Sequence, residues 1–162
     1  MSKAIRIYAN GGPEVLRYEE TETEQPGAGQ VLVRHTAIGL NFIDVYYRSG
    51  LYPPPGGFPL TPGSEAAGVV VEVGQGVDWL KPGDRIAYAV STGAYAEQRL
   101  VDASQAVKVP DGIRDEQAAA MMLKGMTAEY LLRRTFKVKA GETILDHAAA
   151  GGGGLILGEW AK

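Results

Sequence analysis

The chain closes on "HAAAGGGGLILGEWAK", His147 to Lys162, four consecutive glycines set between small residues and an apolar run. With "AGETILD" ahead of it, the stretch reads as a short strand, a glycine turn and the start of a helix, the opening βα step of a parallel sheet. The general dinucleotide fingerprint G-x-G-x-x-G does not fit. Gly152 and Gly154 would need a glycine where Leu157 stands, and Gly151 and Gly153 would need one where Ile156 stands. What fits is A-x-x-G-x-x-G, carried by Ala148, Gly151 and Gly154. Small residues on such a turn let the backbone approach a pyrophosphate, and the helix N-terminus offers free N–H donors. From these residues alone a nucleotide cradle and a flexible, glycine-rich tail both remain open.

Working back from the turn, "DEQAAAMMLKGMTAEYLLRRTFKV" (Asp115–Val138) is rich in Ala, Met and Leu at mostly helical spacing. It predicts two consecutive helices, or one helix kinked near Gly125. The first hundred residues have another texture, short β-rich segments cut by Gly and Pro. Strands are expected over Lys3–Ala9, Gln30–Gly39, Ala67–Gly76, Asp84–Val90 and Gly93–Val101, forming a small, strongly curved antiparallel barrel or sandwich. Between them, Asn41 can cap a short helix that Gly50 ends, followed by the stiff loop "LYPPPGGFPLTPG". The expected fold is therefore α+β: a β-rich domain over residues 1–113, then residues 114–162 as connecting helices and the first βα unit of an incomplete second domain.

The totals narrow the chemistry. At 162 residues the chain holds one full domain and part of another. Apolar residues make up 45% and charged residues 22%, with a net charge of −3 and the basic residues dispersed, which argues against disorder and against nucleic acid or an anionic membrane as partner. No apolar run reaches the roughly 20 residues that span a bilayer, and Met1–Ile7 lacks a secretion-signal pattern, so the cytoplasm is the expected compartment. There is no cysteine, hence no disulfide, thiolate nucleophile or thiolate-held zinc. His35 and His147 have no ligand spacing around them, so no metal site is expected.

A series of motifs then runs in order: "GGPEVL" (Gly11–Leu16), "AIGLNFIDVYYRSGLYPPP" (Ala37–Pro55), "GSEAAG" (Gly63–Gly68), "GDRIAYA" (Gly83–Ala89), "GAYAE" (Gly93–Glu97), "EQAAAMMLKGMTAEYLLRRT" (Glu116–Thr135) and "HAAAGG" (His147–Gly152). Order and spacing resemble those of bacterial NADPH-dependent quinone oxidoreductases, the zinc-free, zeta-crystallin-like branch of the medium-chain dehydrogenase/reductase superfamily. The resemblance covers essentially the whole chain. Zinc-dependent members of that superfamily carry G-H-E-x-x-G-x-V where this chain has "GSEAAGVV", so Ser64 stands in the place of a zinc-binding histidine. Glu65, flanked by alanines, reads from its own surroundings as a buried acid in need of a partner.

The resemblance implies a GroES-like catalytic domain followed by a Rossmann domain, NADPH as cofactor, a quinone as substrate, and a homodimer for a full-length member. By position, "NFIDVYY" and "LKGMTAEY" would line the nicotinamide side. Asn41, Tyr46, Tyr52, Lys124 and Thr127 are hydrogen-bond donors suited to an acceptor oxygen that gains charge. Phe42, Ile43, Asp44, Val45, Tyr46 and Tyr130 would contact the cofactor, and Gly151, Gly152 and Gly153 its phosphates. Plainer readings stand beside these: Asn41 as only a helix cap, Asp44 as an i,i+4 partner of Arg48, Tyr46, Tyr52 and Tyr130 as packing. Four residues depart from the family pattern. Gly153 replaces its usual valine, Gly158 and Glu159 stand inside the expected helix where the family has a small or thiol residue followed by Gln, and Asp146 would put a charge in a buried strand. The residue that reads the ribose 2′ position lies about 20 positions beyond the glycines, so NADPH over NADH follows from the resemblance alone. Two other functional readings remain: a truncated, catalytically inactive GroES-like binding module, and an enoyl-thioester reductase of the same superfamily.

Overall fold

The computed structural model describes residues 1–162 and divides into two compact units, Met1–Ala120 and Met121–Lys162. The first is built on a five-stranded antiparallel sheet. In chain order its strands are β3 (Gln30–Gly39), β4 (Glu65–Val73), β5 (Arg85–Ala89), β6 (Gln98–Asp102) and β7 (Ala106–Lys108), arranged β6-β3-β4-β5-β7. A separate antiparallel pair, β1 (Ser2–Arg6) and β2 (Arg17–Thr21), is tied to the β6 end by Ile5 N–H donating to the Tyr95 carbonyl (2.8 Å) and Glu97 N–H to that of Lys3 (2.8 Å).

Alternation explains the core. Val31 and Val33 on β3, Ile86 and Tyr88 on β5, and Ala66 and Val70 on β4 turn to one side and meet Val77, Leu80, Ala94 and Val101. The curvature expected of a barrel has a visible cause in the β3–β4 ladder. Its register shifts between Leu32 and Val33 and again between His35 and Ala37, and each irregularity bends the strands. Thr36, left over at the second shift, donates its hydroxyl to Asp115 (2.6 Å), which also receives Arg85 Nε and Nη2 (2.9 and 2.6 Å). Thr36 first and then Arg85 hold the Asp115 carboxyl below the usual range, anchoring the start of the next helix to the sheet.

Three helices complete the chain: α1 (Phe42–Ser49), α2 (Asp115–Tyr130) and α3 (Gly152–Trp160). α1 starts from an extended Asn41 and ends at Gly50, whose φ of 84° is the left-handed turn glycine adopts freely. α2 runs through Gly125 as one helix, so no break separates two helices there; a single glycine removes no backbone hydrogen bond and only weakens propensity. It widens into a π turn at Leu131–Thr135 instead.

Other expectations need correcting. β5 lies within one residue of the reading and β1 and β4 within three, but Gly93–Glu97 belongs to no strand, only Ala96 bridging to Ala4. β2 and β7 were unforeseen. The strand expected before the glycine turn is not formed: residues 143–147 have no ladder, because a strand needs a neighbour to pair with. Asp146 is accordingly not buried in a sheet and is partly exposed. No helix is long and apolar enough to cross a membrane.

Candidate functional site

At the N-terminus of α1 the first unit gathers a buried polar cluster. Asn41, Asp44, Ser64 and Glu65 are each less than 9% exposed, Glu65 fully buried. Such groups must satisfy one another. Asp44 accepts the Asn41 backbone N–H (3.0 Å) and the Tyr95 hydroxyl (2.9 Å) on Oδ2, and the Ser64 hydroxyl (2.8 Å) on Oδ1. Asn41 Nδ2 donates to Glu65 Oε1 (2.9 Å), a partner of the kind this buried acid requires. Burial, followed by the charge of Asp44, raises the Tyr95 hydroxyl far above its ordinary value, so it stays protonated and donating.

The close packing of this cluster also explains Gly39. A Cβ there would fall on the Ala119 carbonyl and the Glu65 side chain, so only hydrogen fits. Asp44 makes no ion pair with Arg48; its carboxylate instead takes the Asn41 N–H and the Ser64 and Tyr95 hydroxyls. Ser64 spends its hydroxyl on Asp44, so the position that zinc-dependent enzymes give to a histidine is here part of a hydrogen-bonded brace.

The exposed side of α1 is different. Phe42 is 79% exposed, Ile43 and Val45 are half-buried, and Tyr46 meets Tyr52 edge to face with ring centroids 5.4 Å apart. Tyr47 contacts the same Tyr52 ring at 6.0 Å, and Tyr52 N–H donates to the Tyr46 carbonyl (3.2 Å). The hydroxyls of Tyr46 and Tyr52 make no hydrogen bond within the chain, which leaves two donors on an apolar surface. Asn41, Asp44, Tyr46 and Tyr52 thus share one end of the first unit.

The second unit holds the remaining candidates. Lys124 lies along α2 with its stem against the start of α3: a Cβ on Gly152 would come within 2.8 Å of Lys124 Cδ. Lys124 and the glycine turn are therefore neighbours. Gly154 is the glycine this turn cannot replace, because a Cβ would lie 2.5 Å from Ala149 Cα and 2.7 Å from the carbonyls of Ala148 and Ala149. Gly153 has open space around it. Gly151 precedes the helix in an extended conformation and donates to the Ala148 carbonyl (2.8 Å), while Ala148 itself takes φ 61°. The first-turn N–H groups of Gly152, Gly153 and Gly154 have no carbonyl one turn back to bond to. Thr127 donates its hydroxyl back to the Leu123 carbonyl (2.7 Å), and Tyr130 is about half exposed.

Tyr95 and the Ser64–Asp44 link were not anticipated as parts of the site. Their signal was present only as a requirement, that an acid in an apolar neighbourhood find donors. Which donors answer it depends on a contact spanning 51 positions in the chain.

Comparison with known proteins shows the family. The family model "Alcohol dehydrogenase GroES-like domain" matches residues 27–111. A quinone oxidoreductase of Pseudomonas aeruginosa is 56% identical over the whole chain, which covers 50% of that protein, and a 2-haloacrylate reductase of Burkholderia is 46% identical with the same coverage. The crystal structure of Escherichia coli quinone oxidoreductase complexed with NADPH superposes with a TM-score of 0.94 at 49% identity, over 98% of this chain and 49% of that one. The chain spans about half the length of these relatives. The matched region lies wholly within its first unit, and the chain belongs to the alcohol dehydrogenase GroES-like domain family.

Proposed function

We propose that this chain is the amino-terminal portion of a metal-independent NADPH:quinone oxidoreductase, with residues 1–113 as its catalytic domain and residues 114–162 leading into the nucleotide-binding domain. The observation that carries the reading is the pairing of Ser64 with Asp44. Where a zinc-dependent relative would bind its metal, these side chains satisfy each other, and the free donors Tyr46 and Tyr52 stand on the same end of the unit. The relatives named above support it.

The residues fit an NADPH-type cofactor. Gly154 keeps the turn free of side chains, the first turn of α3 offers unpaired N–H groups, and Lys124 brings a cation against that turn. When bound, the dihydronicotinamide supplies a hydride. In this proposal Gly151, Gly152 and Gly153 hold phosphate oxygens through their backbone. Phe42, Ile43, Val45 and Tyr130 supply apolar wall, and Asp44 supports the site from behind through Asn41, Ser64 and Tyr95. Tyr46 and Tyr52 donate to the acceptor oxygen as its charge grows, and Asn41, Lys124 and Thr127 orient the ring. The proton that completes the reduction comes from solvent or from a donor hydroxyl that solvent reprotonates.

A second reading, reduction of an activated carbon–carbon double bond, is favoured by the 2-haloacrylate reductase relative. Both readings place the longer protein in the cytoplasm as a homodimer. The test is NADPH oxidation by that longer protein with a simple benzoquinone and, separately, with a 2-haloacrylate or enoyl thioester. Turnover of the quinone that survives exhaustive chelation is expected; loss of activity on chelation, or turnover confined to the alkene, would overturn the quinone reading. The 162-residue chain alone is expected to bind NADPH only weakly, and a micromolar dissociation constant by fluorescence titration would contradict this.

A further inference from the structure

α1 is eight residues long and Asp44 is its one buried residue; Ile43, Val45, Tyr46 and Tyr47 are half-buried. A helix that short is marginal in water and is ordinarily held by burying an apolar face. α1 buries little of one, so its position depends on what holds its ends. At the first end Asp44 takes the Ser64 and Tyr95 hydroxyls. The last turn is held by a side chain 37 positions away in the sequence.

That side chain is Asn10, in the segment joining β1 to β2. The last carbonyls of a helix have no intrahelical donor and carry its negative end. Asn10 Nδ2 donates to two of them, those of Tyr47 (3.0 Å) and Arg48 (3.2 Å), and Gly11 N–H donates to the Arg48 carbonyl as well (3.1 Å). Turning the amide over would face its oxygen toward both carbonyls, so the partners fix Nδ2 in this place. Gly50 leaves the room, since a Cβ there would lie 2.9 Å from Asn10 Cγ. Asn10 itself is exposed, so its loss opens no cavity in the core.

This turn of α1 carries the donor pair of the proposed site. Tyr52 N–H donates to the carbonyl of Tyr46, one residue before the two that Asn10 holds, and the Tyr52 ring meets both Tyr46 and Tyr47 edge on. A shift of the last turn therefore moves both hydroxyls. We infer that Asn10 is a positioning residue for the reduction: by clamping the last turn of α1 from a distant segment, it fixes where Tyr46 and Tyr52 present their hydroxyls to the acceptor. The word reduction rests on the reductase reading; the clamp does not.

The test compares Asn10→Asp, which removes both donors and sets a carboxylate against two carbonyls, with Asn10→His, which keeps an N–H at the δ position. In the longer protein Asn10→Asp should lower kcat with a simple benzoquinone about tenfold, because small misplacements of a donor are costly, and leave the NADPH dissociation constant within about twofold. Asn10→His should stay within about threefold of the parent kcat. In the 162-residue chain the nuclear Overhauser contact between the Tyr46 and Tyr52 rings should be lost in Asn10→Asp and kept in Asn10→His. The unfolding midpoint reported by Trp79 in the Trp160→Phe background should hold in both. An unchanged kcat in Asn10→Asp, an NADPH affinity that falls in step with kcat, or a histidine variant as slow as the aspartate overturns the inference. So does a surviving ring contact in Asn10→Asp, or loss of the Trp79 transition, which would make Asn10 a support of the fold. If the parent oxidises no NADPH, the reductase reading falls and the ring contact decides the clamp. If the parent turns over and Asn10→Asp matches it, the positioning role alone falls.

Discussion

Residues 1–120 and residues 121–162 both carry many apolar side chains, yet they dispose of them differently. In the first unit Val31, Val33, Ile86 and Tyr88 are all but inaccessible, and the polar residues among them are braced by Asp44, Glu65 and Asp115. In the second unit Ala128 and Leu132 are the buried apolar residues, while Leu145, Leu155 and Trp160 are 82, 61 and 50% exposed. Met121, Met126, Ile156 and Trp160 line an apolar groove of about 450 Å³. Stability is therefore concentrated in the first unit, and the second presents surface that a self-contained core would cover.

The sharpest way to break this contrast is a pair of truncations. Ile86→Ala leaves a cavity in a closed core and should cost about 4 kcal/mol, whereas Leu155→Ala should change stability by less than about 0.5 kcal/mol. Each unit contains one tryptophan, Trp79 and Trp160, so urea unfolding in Trp160→Phe and Trp79→Phe backgrounds follows the units separately. Comparable losses from the two truncations would remove the distinction.

A somewhat smaller effect comes from pH and also belongs to the first unit. His35 bridges β3 to its neighbours: its Nδ1 meets the Ala96 carbonyl at 2.5 Å and its Nε2 the Tyr88 hydroxyl at 2.6 Å. The geometry suits a neutral ring that donates from Nδ1 and accepts at Nε2. Burial pushes the imidazole down to about 4 from an ordinary 6.5, the Ala96 bond opposing this and Arg99 assisting it. Between these values the unfolded chain binds a proton that the folded chain refuses, so stability falls as pH drops from 6.5 toward 4 and this contribution is flat outside that window. The loss approaches 3 kcal/mol, on the order of 1.4 kcal/mol per pH unit. Unfolding midpoints reported by Trp79 at pH 7 and pH 4.5 check it. His35→Gln should flatten the slope, and an unchanged slope in that variant would assign the effect elsewhere.

How much of this was legible in the sequence follows the same division. Gln30–Gly39 was read with its boundaries intact because a long, β-rich run between glycines has few other fates. "RYEET" escaped notice because its charges show no apolar alternation; pairing with β1 makes it a strand. The α1 cap was legible, since Asn41 and Gly50 act locally. The site was legible only in part: residue types and family position picked out Asn41, Tyr46 and Tyr52. The Tyr95–Asp44 bond depends on a contact between distant segments. The strand before the glycine turn was misread because propensity and pattern describe a strand without guaranteeing a partner.

Two glycines in the second unit test whether that unit is nevertheless locally specified. Gly154 and Gly125 both lie in helices, and a propensity argument treats them alike: alanine should gain about 1 kcal/mol at either. Their surroundings say otherwise. At Gly154 a methyl group would collide with the backbone of Ala148 and Ala149, so Gly154→Ala must open the turn and should lower the transition reported by Trp160 by more than 1 kcal/mol. At Gly125 nothing lies within 4 Å of the added carbon and the helix is unbroken, so Gly125→Ala should raise the same transition by at most about 1 kcal/mol. Opposite signs would mean that the turn is held by close backbone packing even where little apolar surface is buried. Equal signs would mean that helix propensity alone governs this unit, and the turn would then be too loose to present its N–H groups to a phosphate.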